Sequence, residues 1–121
     1  QVTFGLELIE QLPPRYSRAG GLLHAILPHY YRTLRQQCAQ EMISFQAVVG
    51  VLALIEPGLL TTEEATIDIE ELGVLTRGAT IIDRRPNARQ RKNVELVTAI
   101  DVEAARQAII RGLRFAGQES E

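Results

Sequence analysis

Residues 54–84 read LIEPGLLTTEEATIDIEELGVLTRGATIIDR, and the spacing of apolar side chains changes within this stretch. The residues that lead up to Pro57 are almost continuously apolar, which is typical of a helix buried on most of its sides. After Thr62 the pattern alternates, since Ile67 and Ile69 are separated and flanked by polar residues, as in a strand with one solvated face. The sequence therefore predicts a helical first half and a strand-rich second half.

The helical part covers residues 1–60. Pro28 lies inside the longest apolar stripe, where a missing backbone donor predicts a kink or a break. Ser44 is of the residue type that caps helix N-termini. Three helices are predicted: Phe4 to Leu12, Arg18 to Gln40, and Ser44 to Glu56, the last of them buried on most sides.

Residues 61–116 are predicted to form three strands and a final helix that Asp101 caps, and residues 117–121 a polar tail. The connections are too short for helical crossovers, so the sheet is expected to be mostly antiparallel. The fold class is α+β, a single domain of 1–121 with several helices packed on a small three-stranded sheet. The strands are centred on Ile67 to Ile69, Thr80 to Ile82 and Val94 to Thr98, and a disordered loop is expected from Asp83 to Asn93.

Composition excludes several classes of partner. The net charge of -2 gives no electrostatic attraction to nucleic acid or to an anionic lipid surface. No apolar run approaches the roughly 20 residues that cross a bilayer. Cys38 is the one cysteine, so no intramolecular disulfide can form, and a cytoplasmic location is expected.

Two motifs within residues 54–84 carry a resemblance to a known family. They are the turn Ile55-Glu56-Pro57 at a helix end, and the run Leu75-Thr76-Arg77-Gly78-Ala79-Thr80 that continues to Asp83. In this order they resemble the C-terminal portion of the nucleoside hydrolase family, the inosine-uridine preferring N-ribosyl hydrolases, which have an α/β fold. The likeness is specific over residues 54–84 and extends more loosely over most of the chain.

The resemblance implies a chemistry that this chain lacks. The family hydrolyses the N-glycosidic bond of ribonucleosides, with a calcium ion held by an N-terminal cluster of Asp residues and a His near the departing base. The Asp-rich motif has no counterpart here, and the family's His-Asp pair falls on Gln46 and Ala47. An amide cannot shuttle a proton and a methyl group cannot bind a metal. No catalytic residue, metal ligand or cofactor is therefore predicted in this chain.

The resemblance also implies candidate substrate contacts. Tyr30 and Tyr31 fall in the helix that lies close to the nucleobase in the family, although packing in the core or at its rim is the competing interpretation. His24 and His29 are five residues apart and do not share a helix face, so they are interpreted as structural. Asp68 could form a cation site with Glu70 on one strand face, but a solvated face is the favoured interpretation.

Three functional hypotheses follow. In the first, the chain is the C-terminal portion or a split half of a nucleoside hydrolase, inactive alone and partnered by a complementary N-terminal half. In the second, it is a stand-alone, non-catalytic module that works through protein contacts and forms a homo-oligomer. In the third, it binds a nucleoside or another small ligand without turnover.

Overall fold

The structure, a computed structural model, describes residues 2–85 and 92–118. The α+β class is confirmed, and so is a three-stranded antiparallel sheet. The chain divides into two compact units, Gln1–Leu59 together with Asp101–Glu121, and Leu60–Ile100. The final helix thus belongs to the helical unit, whereas the sequence pattern groups it with the strands.

The helical unit contains two short strands that the sequence does not predict. Thr3–Phe4 (β1) pairs antiparallel with Ile43–Ser44 (β2), and two residues are too few to leave a periodic signal. The predicted Phe4 to Leu12 helix is wrong at its start, because pairing holds Phe4 extended and a 3-10 helix follows instead. The helices of this unit are the 3-10 helix Leu6–Gln11, α1 (Arg18–Cys38), α2 (Gln46–Ile55), the 3-10 helix Pro57–Leu59 and α3 (Val102–Ala116).

Helix α1 is continuous through Pro28, so the break is wrong, while the alternative, a kink, stays a prediction. A proline in a helix removes one backbone donor, and burial of Leu27 and Tyr31 on either side of it anchors both halves of α1 in the core. The N-cap is Ser17, whose Oγ accepts a hydrogen bond from the Gly20 amide at 3.0 Å.

Helix α2 differs from its prediction in two respects. Ser44 is not its N-cap, because that residue lies in β2, and Phe45 takes the N-cap position without a side-chain hydrogen bond. Burial on most sides is also wrong, since Leu52 is the buried residue of α2 while Leu54 is 85% exposed. Helix α2 is almost wholly apolar, and its packing against α3 covers one side of it.

The second unit is a sheet with the strand order β4-β3-β5, all antiparallel. Its strands are Leu60–Ile69 (β3), Thr80–Asp83 (β4) and Val94–Ile100 (β5). Strand β3 begins earlier than predicted. The sequence missed its first half because these residues are polar and show no apolar alternation. Pairing with β5 holds them in the strand, with a register shift after Thr61.

Carboxylates at the ends of two strands bind the chain that follows, and the predicted capping of α3 by Asp101 is confirmed. Asp101 caps α3, its Oδ1 accepting from the Ala104 amide at 3.0 Å. Asp83 binds the start of the following loop, where its carboxylate accepts from the side chain and the amide of Arg85, and these contacts lower the pKa of Asp83 to about 2. The rest of the predicted disordered loop, 86–91, and most of the polar tail, 119–121, lie outside the described residues.

Within residues 2–85 and 92–118, no helix has the length and apolar character that crossing a membrane requires.

Candidate functional site

A cleft of about 550 Å³ lies in the helical unit and brings two of the sequence candidates together. Tyr30, 44% exposed on α1, lies on one wall, and Gln46, the first residue of α2, lies on another. Ala47 and Tyr31 do not line it. The lining residues are Thr3, Tyr30, Leu34, Gln40, Glu41, Met42, Ser44 and Gln46.

The position of Gln46 follows from the way the chain leaves α1. The helix ends at Cys38, and its C-cap, Ala39, adopts the left-handed conformation with φ 52° and donates its amide to the carbonyl of Leu34. The chain then returns as β2, where Ser44 is paired with Thr3. Two residues later α2 begins, so the pairing of the short strands fixes where Gln46 meets the cleft.

Tyr31 is turned away from this cleft and is 5% exposed. Its hydroxyl lies against two backbone carbonyls at the end of β1, that of Phe4 at 3.1 Å and that of the next residue, Gly5. This side chain therefore ties α1 to the start of the chain. Its predicted contact with substrate stays a prediction, and of the two tyrosines only Tyr30 reaches the cleft.

Arg106 of α3 contacts both β1 and the 3-10 helix that follows it. Its guanidinium lies 4.3 Å from the centre of the Phe4 ring, donates to the Thr3 carbonyl, and contacts Glu7 Oε1 at 3.3 Å. The Gly5 amide lowers the pKa of the Glu7 carboxyl most strongly, and Arg106 lowers it further. Sequence reasoning missed Arg106 and Glu7, because nothing local indicates that residues 99 positions apart meet.

The Tyr31 hydroxyl gives a measurable signature of this packing. Burial raises its pKa to about 12, the negative charge of Glu7 adds to the shift, and Arg106 opposes it. The unfolded phenol, with a pKa near 10, loses its proton first as the pH rises, so the free energy of unfolding falls between about pH 10 and 12. The stabilisation is fully present below about pH 10 and is lost as the pH rises through 12.

Ultraviolet titration of the phenolates should accordingly show a step near pH 12 that the Tyr31→Phe variant lacks. Over the same range, the free energy of unfolding should fall more steeply for the parent chain than for the variant. A difference between the two titration curves that fell near pH 10 instead would contradict the buried, hydrogen-bonded placement.

The other predicted polar residues are not among those that line the cleft. His24 Nε2 is 3.1 Å from the carbonyl of Pro13, which agrees with a structural role, and His29 is exposed. Glu70 follows β3 and accepts hydrogen bonds from the backbone of the next turn, while Asp68 is exposed on the strand. None of the four lines the cleft.

The chemistry available in the cleft is hydrogen bonding and stacking. Gln40 and Gln46 supply amide donors and acceptors, Tyr30 supplies an exposed ring, and Glu41 carries the one carboxylate among the lining residues. These groups can hold the edge and face of a planar polar ligand. They offer no imidazole and no pair of carboxylates for acid–base work.

Comparison with known families identifies a match over nearly the whole chain. The model of the family described as inosine-uridine preferring nucleoside hydrolase matches residues 2–107. The non-specific ribonucleoside hydrolase RihC of Salmonella schwarzengrund is 29% identical over 94 residues, which are 78% of this chain and 29% of that protein. RihC of Salmonella paratyphi B is 25% identical over 103 residues, 85% of this chain and 32% of that protein. The chain thus spans about a third of the length of these curated relatives.

Solved structures show the same fold. The purine-preferring ribonucleoside hydrolase from Gardnerella vaginalis superimposes with a TM-score of 0.82 over 98% of this chain and 37% of its own, at 18% identity. The plant nucleoside hydrolase PpNRh1 superimposes with a TM-score of 0.74 over 93% of this chain and 37% of its own, also at 18% identity.

Proposed function

The chain belongs to the inosine-uridine preferring nucleoside hydrolase family, and from that premise we propose that it supplies the C-terminal region of a ribonucleoside hydrolase fold without cleaving N-glycosidic bonds by itself. The observation that carries this proposal is the start of α2, where Gln46 and Ala47 occupy the position at which the resemblance implies a His-Asp pair. Cleavage requires an activated water and a stabilised leaving base. A carboxamide and a methyl group provide neither.

The residues of the cleft also do not fit the calcium ion that the resemblance implies. Calcium takes six to eight oxygen ligands, several of them carboxylates. Glu41 is the one carboxylate in the cleft, and in the part of the chain that the structure describes no three His, Cys, Asp or Glu side chains come together. We assign no step of the reaction to a metal held by these residues. In this proposal the acidic ligands and the base come from a complementary N-terminal part.

The test is an assay of the purified chain for release of ribose from inosine and from uridine, with and without calcium. We expect release no faster than in buffer, alongside a full-length ribonucleoside hydrolase as the positive control. The double variant Gln46→His with Ala47→Asp should also be inactive, because one pair of side chains does not complete a calcium site. Calcium-dependent release of ribose by the unmodified chain would overturn the proposal.

The second candidate function is a non-catalytic module that associates with itself, and the apolar surface of α2 favours it. Val51 is 52% exposed and Ile55 is 66% exposed, in addition to Leu54, on a helix without a charged residue. Contiguous apolar surface of this kind marks interaction sites. Sedimentation velocity at several concentrations distinguishes the two candidates, since only the module forms a species heavier than the 13.5 kDa monomer by itself.

A further inference from the structure

A cavity of about 620 Å³ in the helical unit is lined by both apolar and charged side chains. Its volume lies within the range of roughly 300–1,000 Å³ that is typical of sites for small molecules. Three segments of the chain enclose it: the residues that follow β1, one face of α1, and the residues that lead into β2. All three belong to the same compact unit. We call this cavity the arginine pocket.

The face of α1 that lines the arginine pocket carries two cations. Pro28, Tyr31, Arg32 and Arg35 have the spacing i, i+3, i+4 and i+7, so they form one stripe along the helix. Tyr31 is buried, and its hydroxyl is already bound to carbonyls at the end of β1. Both arginines are exposed. They are therefore the groups of this face that can bind a charged ligand.

No carboxylate of the described residues neutralises either arginine. The ion pairs within residues 2–85 and 92–118 are formed by Arg85, Lys92, Arg106 and Arg111. Helix α1 contains no acidic residue, and two like charges three positions apart on one helix repel each other. The helix dipole favours a cation in the last turn, where Arg35 lies, but does not account for Arg32 one turn earlier. A bound anion would relieve the repulsion between the two.

The two carboxylates that line the pocket differ in their partners. Glu7 Oε1 accepts from the Gly5 amide at 3.0 Å and lies 3.3 Å from the Arg106 guanidinium, and both contacts lower the pKa of the Glu7 carboxyl. Its charge is therefore balanced by Arg106. Glu41 is exposed and forms no ion pair within the described residues. The two guanidiniums thus exceed the unpaired carboxylate charge, and the lining is positive on balance.

Apolar side chains form the rest of the lining. They are Leu6, Ile9, Pro28 and Met42. Leu6 is 59% exposed and Met42 is 44% exposed, so both give up contact with water when an apolar group enters the pocket. A ligand that fits this lining combines an anionic group with an apolar body.

We propose that the arginine pocket binds a small phosphate monoester, with the phosphate between Arg32 and Arg35 and the apolar body against Leu6 and Met42. A phosphate monoester carries a charge of roughly −1.5 to −2 at pH 7 and has three terminal oxygens, so it can accept hydrogen bonds from both guanidiniums at once. A carboxylate has a single charge and two oxygens, which match one arginine fork. The inference does not depend on either candidate function.

The experiment titrates the full chain with 1-naphthyl phosphate at constant ionic strength and follows the backbone amides by two-dimensional NMR. The amides of Gly5 and Met42, on two different segments of the lining, should shift saturably and with the same Kd, while that of Gly50 in α2 should not shift. Binding of 1-naphthoate should be weaker, because its one charge matches one arginine. Inorganic phosphate and 1-naphthol should bind more weakly still, since each of them matches only one part of the lining.

Four variants, with folding checked by circular dichroism, locate the anion. Arg32→Gln and Arg35→Gln should each weaken the binding of 1-naphthyl phosphate by roughly ten- to a hundredfold, because each removes charge-assisted hydrogen bonds. Glu41→Gln removes a repulsive charge and should tighten binding by roughly two- to fivefold. Arg18→Gln, at an exposed position of α1 outside the pocket, is the matched control and should bind like the parent chain.

Several results would overturn the inference. The absence of any saturable shift with 1-naphthyl phosphate would contradict the site itself. Undiminished binding by Arg32→Gln and Arg35→Gln, or equally tight binding of 1-naphthol, would mean that the arginines hold no anion. An equal loss in Arg18→Gln would indicate a general attraction to positive charge instead of a pocket. Tighter binding of 1-naphthoate than of 1-naphthyl phosphate would contradict the choice of a phosphate.

Discussion

Truncation of Phe4 to alanine is expected to lower the free energy of unfolding by about 3–5 kcal/mol. The ring is 1% exposed, meets the Phe45 ring edge-on with centroids 5.7 Å apart, and carries the Arg106 guanidinium above its face. Alanine would leave a cavity and also remove the cation–π partner of Arg106, which by itself stabilises by about 0.5–2 kcal/mol. Against a total stability of about 5–15 kcal/mol, such a loss approaches global unfolding.

Urea-induced unfolding followed by circular dichroism measures this change. Leu6→Ala is the matched control, because Leu6 is 59% exposed two residues away and its truncation should change stability by no more than about 0.5 kcal/mol. The effect extends to the cleft, since Phe4 is paired with Ile43 just before α2. A Phe4→Ala chain as stable as Leu6→Ala would mean that this ring does not anchor the strand pair.

Replacement of Gly20 by alanine is the second large effect expected, a loss of about 1–3 kcal/mol or more. A β-carbon at this position would overlap the carbonyl oxygen of Pro14 and lie 2.6 Å from that of Pro13. Both neighbours are backbone atoms and cannot rotate away. Ser17 lies at the same contact. Its hydroxyl donates a hydrogen bond to the Pro14 carbonyl at 2.8 Å and accepts one from the Gly20 amide, which caps the helix. The substitution should therefore displace the first turn of α1.

Two other glycines within helices make the control for this prediction unusually direct. At Gly50 of α2 and Gly112 of α3, an added β-carbon would meet no atom within 4 Å outside the adjoining backbone of its own helix. Alanine at either should raise the free energy of unfolding by about 0.4–1 kcal/mol, because it restricts the unfolded chain without steric cost. Thermal unfolding of the three variants should give opposite signs for Gly20 and for the other two. A neutral Gly20→Ala variant would show that α1 shifts away from the prolines without loss.

The sequence predicted the features that depend on near neighbours. The change of apolar period after Pro57 and the capping of α3 by Asp101 are each determined within a few residues. The family motifs of residues 54–84 are local in the same sense. The interpretation that Gln46 stands where the resemblance implies a proton shuttle is local as well, since the identity of a side chain limits its chemistry wherever the fold places it.

Tertiary contacts decided the rest. The pairing of β1 with β2 joins residues about 40 positions apart, and Arg106 meets the start of the chain across 103 positions. The local spacing of apolar residues gives no information about contacts between residues so far apart in the sequence. For that reason the sequence could not separate Tyr30, which reaches the cleft, from Tyr31, which is buried against the Phe4 and Gly5 carbonyls. The sequence also could not reveal that α2 stays exposed. An apolar composition predicts that a helix surface will be covered, but only the packed structure shows whether another part of the same chain covers it.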